Sequence, residues 1–218
     1  MHEIDHAASE GLKETGRVEA FSDGVFAIAI TLLILDIKAP NTSAAAGDLL
    51  RALLAQWPTY VAFLSSFATI GSMWINHHRL FTHIGRADNV LLQLNLLLLL
   101  GVTVVPFPTS VLARNLGGPD ATAAAVFYSL VSIAIAIFFN LLWRYSAGRD
   151  RLLAPGHNHT LVDAITRQYR FGPLFYVVTT LVALVSPLLS VALCLGLAVF
   201  FVVTPSGGAA DGTSHHAG

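Results

Sequence analysis

Charge is what this chain lacks most. Only 11% of its 218 residues are Asp, Glu, Lys or Arg, against about 25% in soluble domains, so water is not the solvent around most of its surface. A basic excess is missing too: 12 Lys and Arg against 13 Asp and Glu leave a formal net charge of −1, which argues against nucleic acid and against an anionic lipid surface held by a basic patch. The single cysteine, Cys194, lies in an apolar run; it excludes an intrachain disulfide and reads as a small buried hydrophobe. The chain opens with no basic region and short apolar core, and residues 1–16 carry Glu3, Asp5, Glu10 and Glu14 instead, which speaks against a cleaved signal peptide. There is no nucleotide-binding loop, nucleophile elbow, His-Glu-x-x-His helix or paired-cysteine motif. Neither an enzyme nor a bound cofactor is expected.

What is present is apolar sequence in long runs. Crossing a bilayer takes roughly 20 apolar residues in a helix, and six runs qualify: 17–37, 56–82, 89–113, 121–145, 169–186 and 187–204. The last two meet at Ser186-Pro187, where proline ends one helix and starts the next, giving a tight hairpin. The expected fold is an all-α membrane protein of six transmembrane helices. Residues 1–16 form an N-terminal segment, 17–204 the membrane domain, and 205–218 a flexible tail of Gly, Ala, Ser and His. With six spans, nine of the 12 Lys and Arg fall on one side, and only Lys38, Arg51 and Arg114 on the other. The positive-inside rule then puts both termini in the cytoplasm. The stretch from Arg144 to Arg170 reads as a cytoplasmic loop with an interfacial helix over 160–170.

The most informative segment runs from Arg17 to Ile37. It buries Ser22 and Asp23 in a spanning helix, about 9 Å of rise beyond Arg17. A charged side chain at mid-span costs at least about 2.5 kcal/mol on insertion scales, so it needs a partner or a task; the plain alternative is a shallow Asp23 that anchors the helix near the headgroups. At about 100° per residue, Arg17, Phe21, Gly24, Ile28, Thr31 and Leu35 share one stripe with Leu32 beside it, while Asp23 points about 140° from Ile28. Such a stripe fits helix packing as well as a pore lining.

Arg17-x-x-x-Phe21-Ser22-Asp23-Gly24 resembles the motif opening the first helix of the transmembrane-protein-175 potassium channels. Trp74-Ile-Asn76-His77-His78-Arg-Leu-Phe81, and Asn95 followed by Pro106-Phe-Pro-Thr109, resemble further features of that family, and the six-span layout covers residues 17–204. The resemblance implies a potassium channel without the Thr-Val-Gly-Tyr-Gly filter loop, with first helices around the axis and constriction rings at Ile28, Thr31 or Leu32, and Leu35. It also implies permeant K⁺ as the only ligand and a bilayer-embedded homotetramer. One motif copy per chain suggests a bacterial plasma-membrane protein, whereas relatives with two copies form dimers. Arg17, Phe21, Ser22, Asp23, Trp74, Asn76 and His77 are expected to form a structural motif, with Asp23 held by His77, Asn76 or Trp74 and Asp23→Asn harming assembly more than selectivity. The alternatives are a cation- or proton-coupled transporter using Asp23, and a lipid-binding or enzymatic membrane protein. His77 and His78 do not face the same way on a helix and no metal pair is expected there. His157 and His159 lack a visible third ligand and stay unassigned.

Overall fold

In the computed structural model the described residues are 2–40 and 48–203, with side chains described from residue 15 onward except in 41–48. The expected tail over 205–218 lies outside them. Among the described residues eight α-helices follow one another: α1 His2–Leu32, α2 Asp48–Ala55, α3 Trp57–Phe81, α4 Asn89–Val104, α5 Pro106–Asn115, α6 Ala121–Ala147, α7 His159–Ala183 and α8 Pro187–Val203. Among the described residues the only β pairing is an isolated bridge between Ile84 and Leu153. Thr15–Asp36, Asn89–Asn115 and Ala121–Asp150 are long and apolar enough to cross a membrane, and Pro187–Val203 is apolar but shorter.

Several expected boundaries shift. α1 begins at His2 and tightens into a 3₁₀ turn over Leu33–Asp36, so residues 2–16 continue the first helix. Residues 160–170 do not form a separate interfacial helix; they are the polar first half of α7, whose 25 residues run unbroken into the fifth expected span. The third span is interrupted between α4 and α5 because Pro106 has no N–H to donate, and the ladder resumes when Thr109 N–H reaches the Val105 carbonyl at 3.1 Å. The short helix α2 was not anticipated.

Prolines are accommodated by named partners. Pro173 lies inside α7 and leaves the carbonyl of Tyr169, four residues earlier, without its helical donor. Asn140 of α6 supplies one, Nδ2 to Tyr169 O at 2.8 Å. At Pro187 the break is complete: α7 stops at Ala183, and the Ser186 hydroxyl accepts from Leu189 N–H at 3.3 Å as α8 starts, as an N-cap does.

The two ends of the bundle can be read from cross-helix bonds. At one end His78 of α3 pairs with Glu19 of α1. Arg79 donates to the Phe201 and Val202 carbonyls at the end of α8, at 3.2 and 3.0 Å. The Tyr145 hydroxyl of α6 donates to Asp88 at 2.6 Å. Asp88 also caps α4 through Leu91 N–H at 2.8 Å. Burial alone would raise the Asp88 pKa, but the Tyr145 hydroxyl, the Leu91 N–H and the Arg151 charge outweigh it, and the carboxyl sits below its usual value. At the other end the Ser110 hydroxyl of α5 donates to Asp36 at 2.8 Å. α1 packs on α3 and α4, α3 on α5 and α8, and α6 on α4 and α7. Cys194 is buried.

Candidate functional site

α1 divides into two faces. Ser22, Phe26, Ala29 and Leu33 are buried against the rest of the chain. On the other side Phe21, Ile28 and Leu35 are 58%, 62% and 59% exposed and Leu32 is 44% exposed; Arg17, Gly24 and Thr31 are exposed as well. The helical period that sorts these residues on paper is thus the period that sorts them in space. The stripe takes no part in this chain's own core.

Thr31 has a defined orientation. Its hydroxyl donates backward to the Ala27 and Ile28 carbonyls, both at 2.9 Å. The one proton is committed to backbone, so the oxygen presents lone pairs outward and acts toward any approaching cation only as an acceptor.

Behind the stripe lies a directional chain of buried bonds. Asn95 Oδ1 is an acceptor, so the 2.9 Å contact to His77 Nε2 has the imidazole donating. Asn95 Nδ2 donates to Ser22 Oγ at 2.9 Å, and the Ser22 hydroxyl donates to the Val18 carbonyl at 2.8 Å. Three helices, α3, α4 and α1, are joined by this relay. His77 is wedged between rings, 4.5 Å from Phe81 and 5.4 Å from Phe26, and its Nδ1 is buried with no hydrogen-bond partner.

Asp23 stands outside the relay. Trp74 Nε1–H donates to its Oδ1 at 2.9 Å, so of the three expected partners only the indole is used. The expectation that His77 or Asn76 holds Asp23 is corrected: His77 is spent on Asn95, and Asn76 donates to the Ser72 carbonyl at 2.8 Å and accepts from the Tyr169 hydroxyl at 3.3 Å. At about 100° per residue Asn76 lies about 160° from Trp74 on α3 and faces elsewhere, while His77, about 60° from Trp74, is turned inward to Asn95. The hub that sequence reasoning underrated is Asn95. Its signal was an amide carrying both donor and acceptor inside the run Leu-Gln-Leu-Asn-Leu-Leu-Leu-Leu-Leu, where an unpaired amide would be costly.

A second buried cluster links α3, α5 and α6. Thr109 donates to Ser66 at 2.7 Å and Ser66 to the Tyr128 hydroxyl at 3.1 Å. His157 and His159 do gain a third neighbour, Asp150, and the three ligand atoms lie within 4.8 Å of one another.

Comparison with known proteins matches these features to named relatives. A sequence profile described as "Endosomal/lysosomal potassium channel TMEM175" matches residues 17–106, from Arg17 of the first motif to Pro106 beyond Asn95. A protein named a potassium channel from Chamaesiphon minutus is 52% identical over 191 residues, covering 87% of this chain and 94% of its own length. Another so named, from Streptomyces collinus, is 47% identical over 182 residues, covering 83% and 88%. The crystal structure of a lysosomal potassium-selective channel TMEM175 homolog from Chamaesiphon minutus superposes with a TM-score of 0.79 at 49% identity, over 88% of this chain and 97% of that one. Motif, fold and near-full-length identity agree: the chain belongs to the TMEM175 family of potassium channels.

Proposed function

We infer that this chain is a subunit of a potassium-selective channel and that α1 lines its pore. One observation carries the reading: α1 turns an apolar stripe with a single hydroxyl away from its own bundle, in a family whose bacterial relatives are named potassium channels. Such a face needs a cover. Four copies related by a closed cyclic axis would bring four identical stripes together, with Ile28, Thr31 and Leu35 as successive rings and Leu32 as the alternative middle position. Apolar rings stop ions by excluding water, and a ring of Thr31 oxygens with outward lone pairs replaces part of the hydration shell of the more easily dehydrated K⁺. Selectivity of this kind is modest. Asp23, already bonded to Trp74, is a positioning residue in this reading and not a transport site.

In the same reading six helical passes cross the plasma membrane, with α4 and α5 forming one of them, and both termini are cytoplasmic. The joining of Glu19, near the start of the membrane-length stretch Thr15–Asp36, to the end of α3, and of α3 to the end of α8, supports that arrangement, and so does the nine-to-three distribution of Lys and Arg.

Purified protein in a planar bilayer should give unitary current steps whose reversal potential in opposed K⁺ and Na⁺ solutions lies on the K⁺ side. Smooth flux without steps, driven by a proton gradient and lost in Asp23→Asn, would instead make the chain a transporter. Cysteines introduced near residues 10 and 210 should be labelled from the same side and Lys38→Cys from the opposite one. A conducting monomer would refute the tetramer.

A further inference from the structure

The connection between α6 and α7 is not a slack loop. It is docked on the turn after α3: Gly85 N–H donates to the Leu152 carbonyl at 2.8 Å and Ala154 N–H to the His83 carbonyl at 2.9 Å. The approach is close enough that a Cβ on Gly85 would lie 2.7 Å from the Ala154 Cα. Within this loop Arg149 and Asp150 both hold positive φ, 58° and 54°, a conformation that costs non-glycine residues energy and persists only where the surroundings impose it.

We propose that Asp150, His157 and His159 form a binding site for a divalent transition-metal ion of the zinc type. The protonation pattern is the first reason. His157 Nδ1 lies 3.0 Å from the Ala154 carbonyl, which can only accept, so Nδ1 carries the proton. In the neutral ring Nε2 then presents its lone pair to the Asp150 carboxylate at 3.3 Å. Two electron-rich atoms at that distance need a proton or a metal ion between them. His157 Nε2 is buried and has no hydrogen-bond partner. An Nδ1–H bonded to a backbone carbonyl is also the arrangement that orients metal-ligating imidazoles.

Distance is the second reason. A tetrahedral ion with bonds of roughly 2.0–2.1 Å has ligand-to-ligand edges of about 3.3 Å, and the Asp150–His157 separation is 3.3 Å. His159 stands on the first turn of α7 with its ring 4.6 Å from that of His157. It is exposed, so it can close the remaining gap by rotating its side chain. Two imidazoles and one carboxylate favour zinc-like ions over Ca²⁺ and Mg²⁺, which prefer all-oxygen shells. A bound ion would fasten the end of α6 to the start of α7.

The test uses the full chain, purified in detergent with any affinity tag removed, and Co²⁺ as a spectroscopic stand-in for Zn²⁺. Titration should develop a visible absorption of four- or five-coordinate intensity that saturates near one Co²⁺ per chain and is displaced by Zn²⁺. Asp150→Asn, His157→Gln and His159→Gln should each weaken binding at least about tenfold, while replacing His2, His6, His215 and His216 together should leave it unchanged. Zn²⁺ should also raise the melting temperature of the wild type but not of the three single variants; Ca²⁺ should do neither. The proposal is overturned if the absorption disappears with the terminal histidines, or survives in Asp150→Asn and His159→Gln. It is equally overturned if Zn²⁺ is without effect and the wild type loses stability as His157 deprotonates, which would make the cluster an imidazolium–carboxylate pair.

Discussion

Ile28→Asn should raise unitary K⁺ conductance several-fold. If four Ile28 side chains meet at the axis, the barrier there is that of an ion leaving water for a ring without ligands. Four amides at the same level let water remain, and lowering such a barrier by only about 1 kcal/mol raises flux about fivefold. The side chain is 62% exposed within its own chain, so the substitution fills no core position and the subunit should fold. Leu35→Asn should act in the same direction. Thr31→Val should lower K⁺ preference, because it removes the outward oxygen while keeping the volume. Single-channel recording with K⁺ and Na⁺ on opposite sides reads all three. Unchanged conductance and reversal potential in assembled Ile28→Asn, Leu35→Asn and Thr31→Val would mean that the stripe meets lipid or another helix.

Asn95→Leu should have the largest effect on assembly. It leaves His77 Nε2–H and the Ser22 oxygen without their partner, both fully buried. An unsatisfied buried group costs about 1–3 kcal/mol in soluble proteins, and polar pairs between membrane helices contribute roughly 0.6–2 kcal/mol, so a total loss of about 1–4 kcal/mol is expected. Thermal unfolding followed by size-exclusion elution should show a lower midpoint and less assembled protein. Adding Ser22→Ala should cost much less on the Asn95→Leu background than on the wild type, since the two residues form one pair. A stable, assembled Asn95→Leu channel with altered reversal potential would move the relay from scaffolding to permeation.

The parts legible in the sequence were those governed by local period. The apolar stripe of α1 and the helix break at Pro187 both follow from about 3.6 residues per turn and the chemistry of proline. Pairings across the fold were not legible. Asn95 reaches Ser22 across 73 positions in sequence, and nothing in either segment names the other. Trp74, Asn76 and His77 lie within four residues, so the motif could not tell which of them turns to Asp23; only helix rotation decides. α7 was divided into a surface piece and a span because Asp163, Arg167 and Arg170 make its first half polar, yet polarity does not interrupt a backbone ladder. The nearness of Asp150 to His157 is not legible because the chain folds back through left-handed residues that are Arg149 and Asp150, not the neighbouring Gly148.

Arg79 has a consequence for engineering this protein. The last carbonyls of a helix need a donor from beyond its end, and at α8 the guanidinium of Arg79 already meets those of Phe201 and Val202. Two carbonyls in the last described turn of α8 are therefore satisfied from α3. Any change at Arg79 thus alters the far end of the chain, more than 120 positions away in sequence, without touching it.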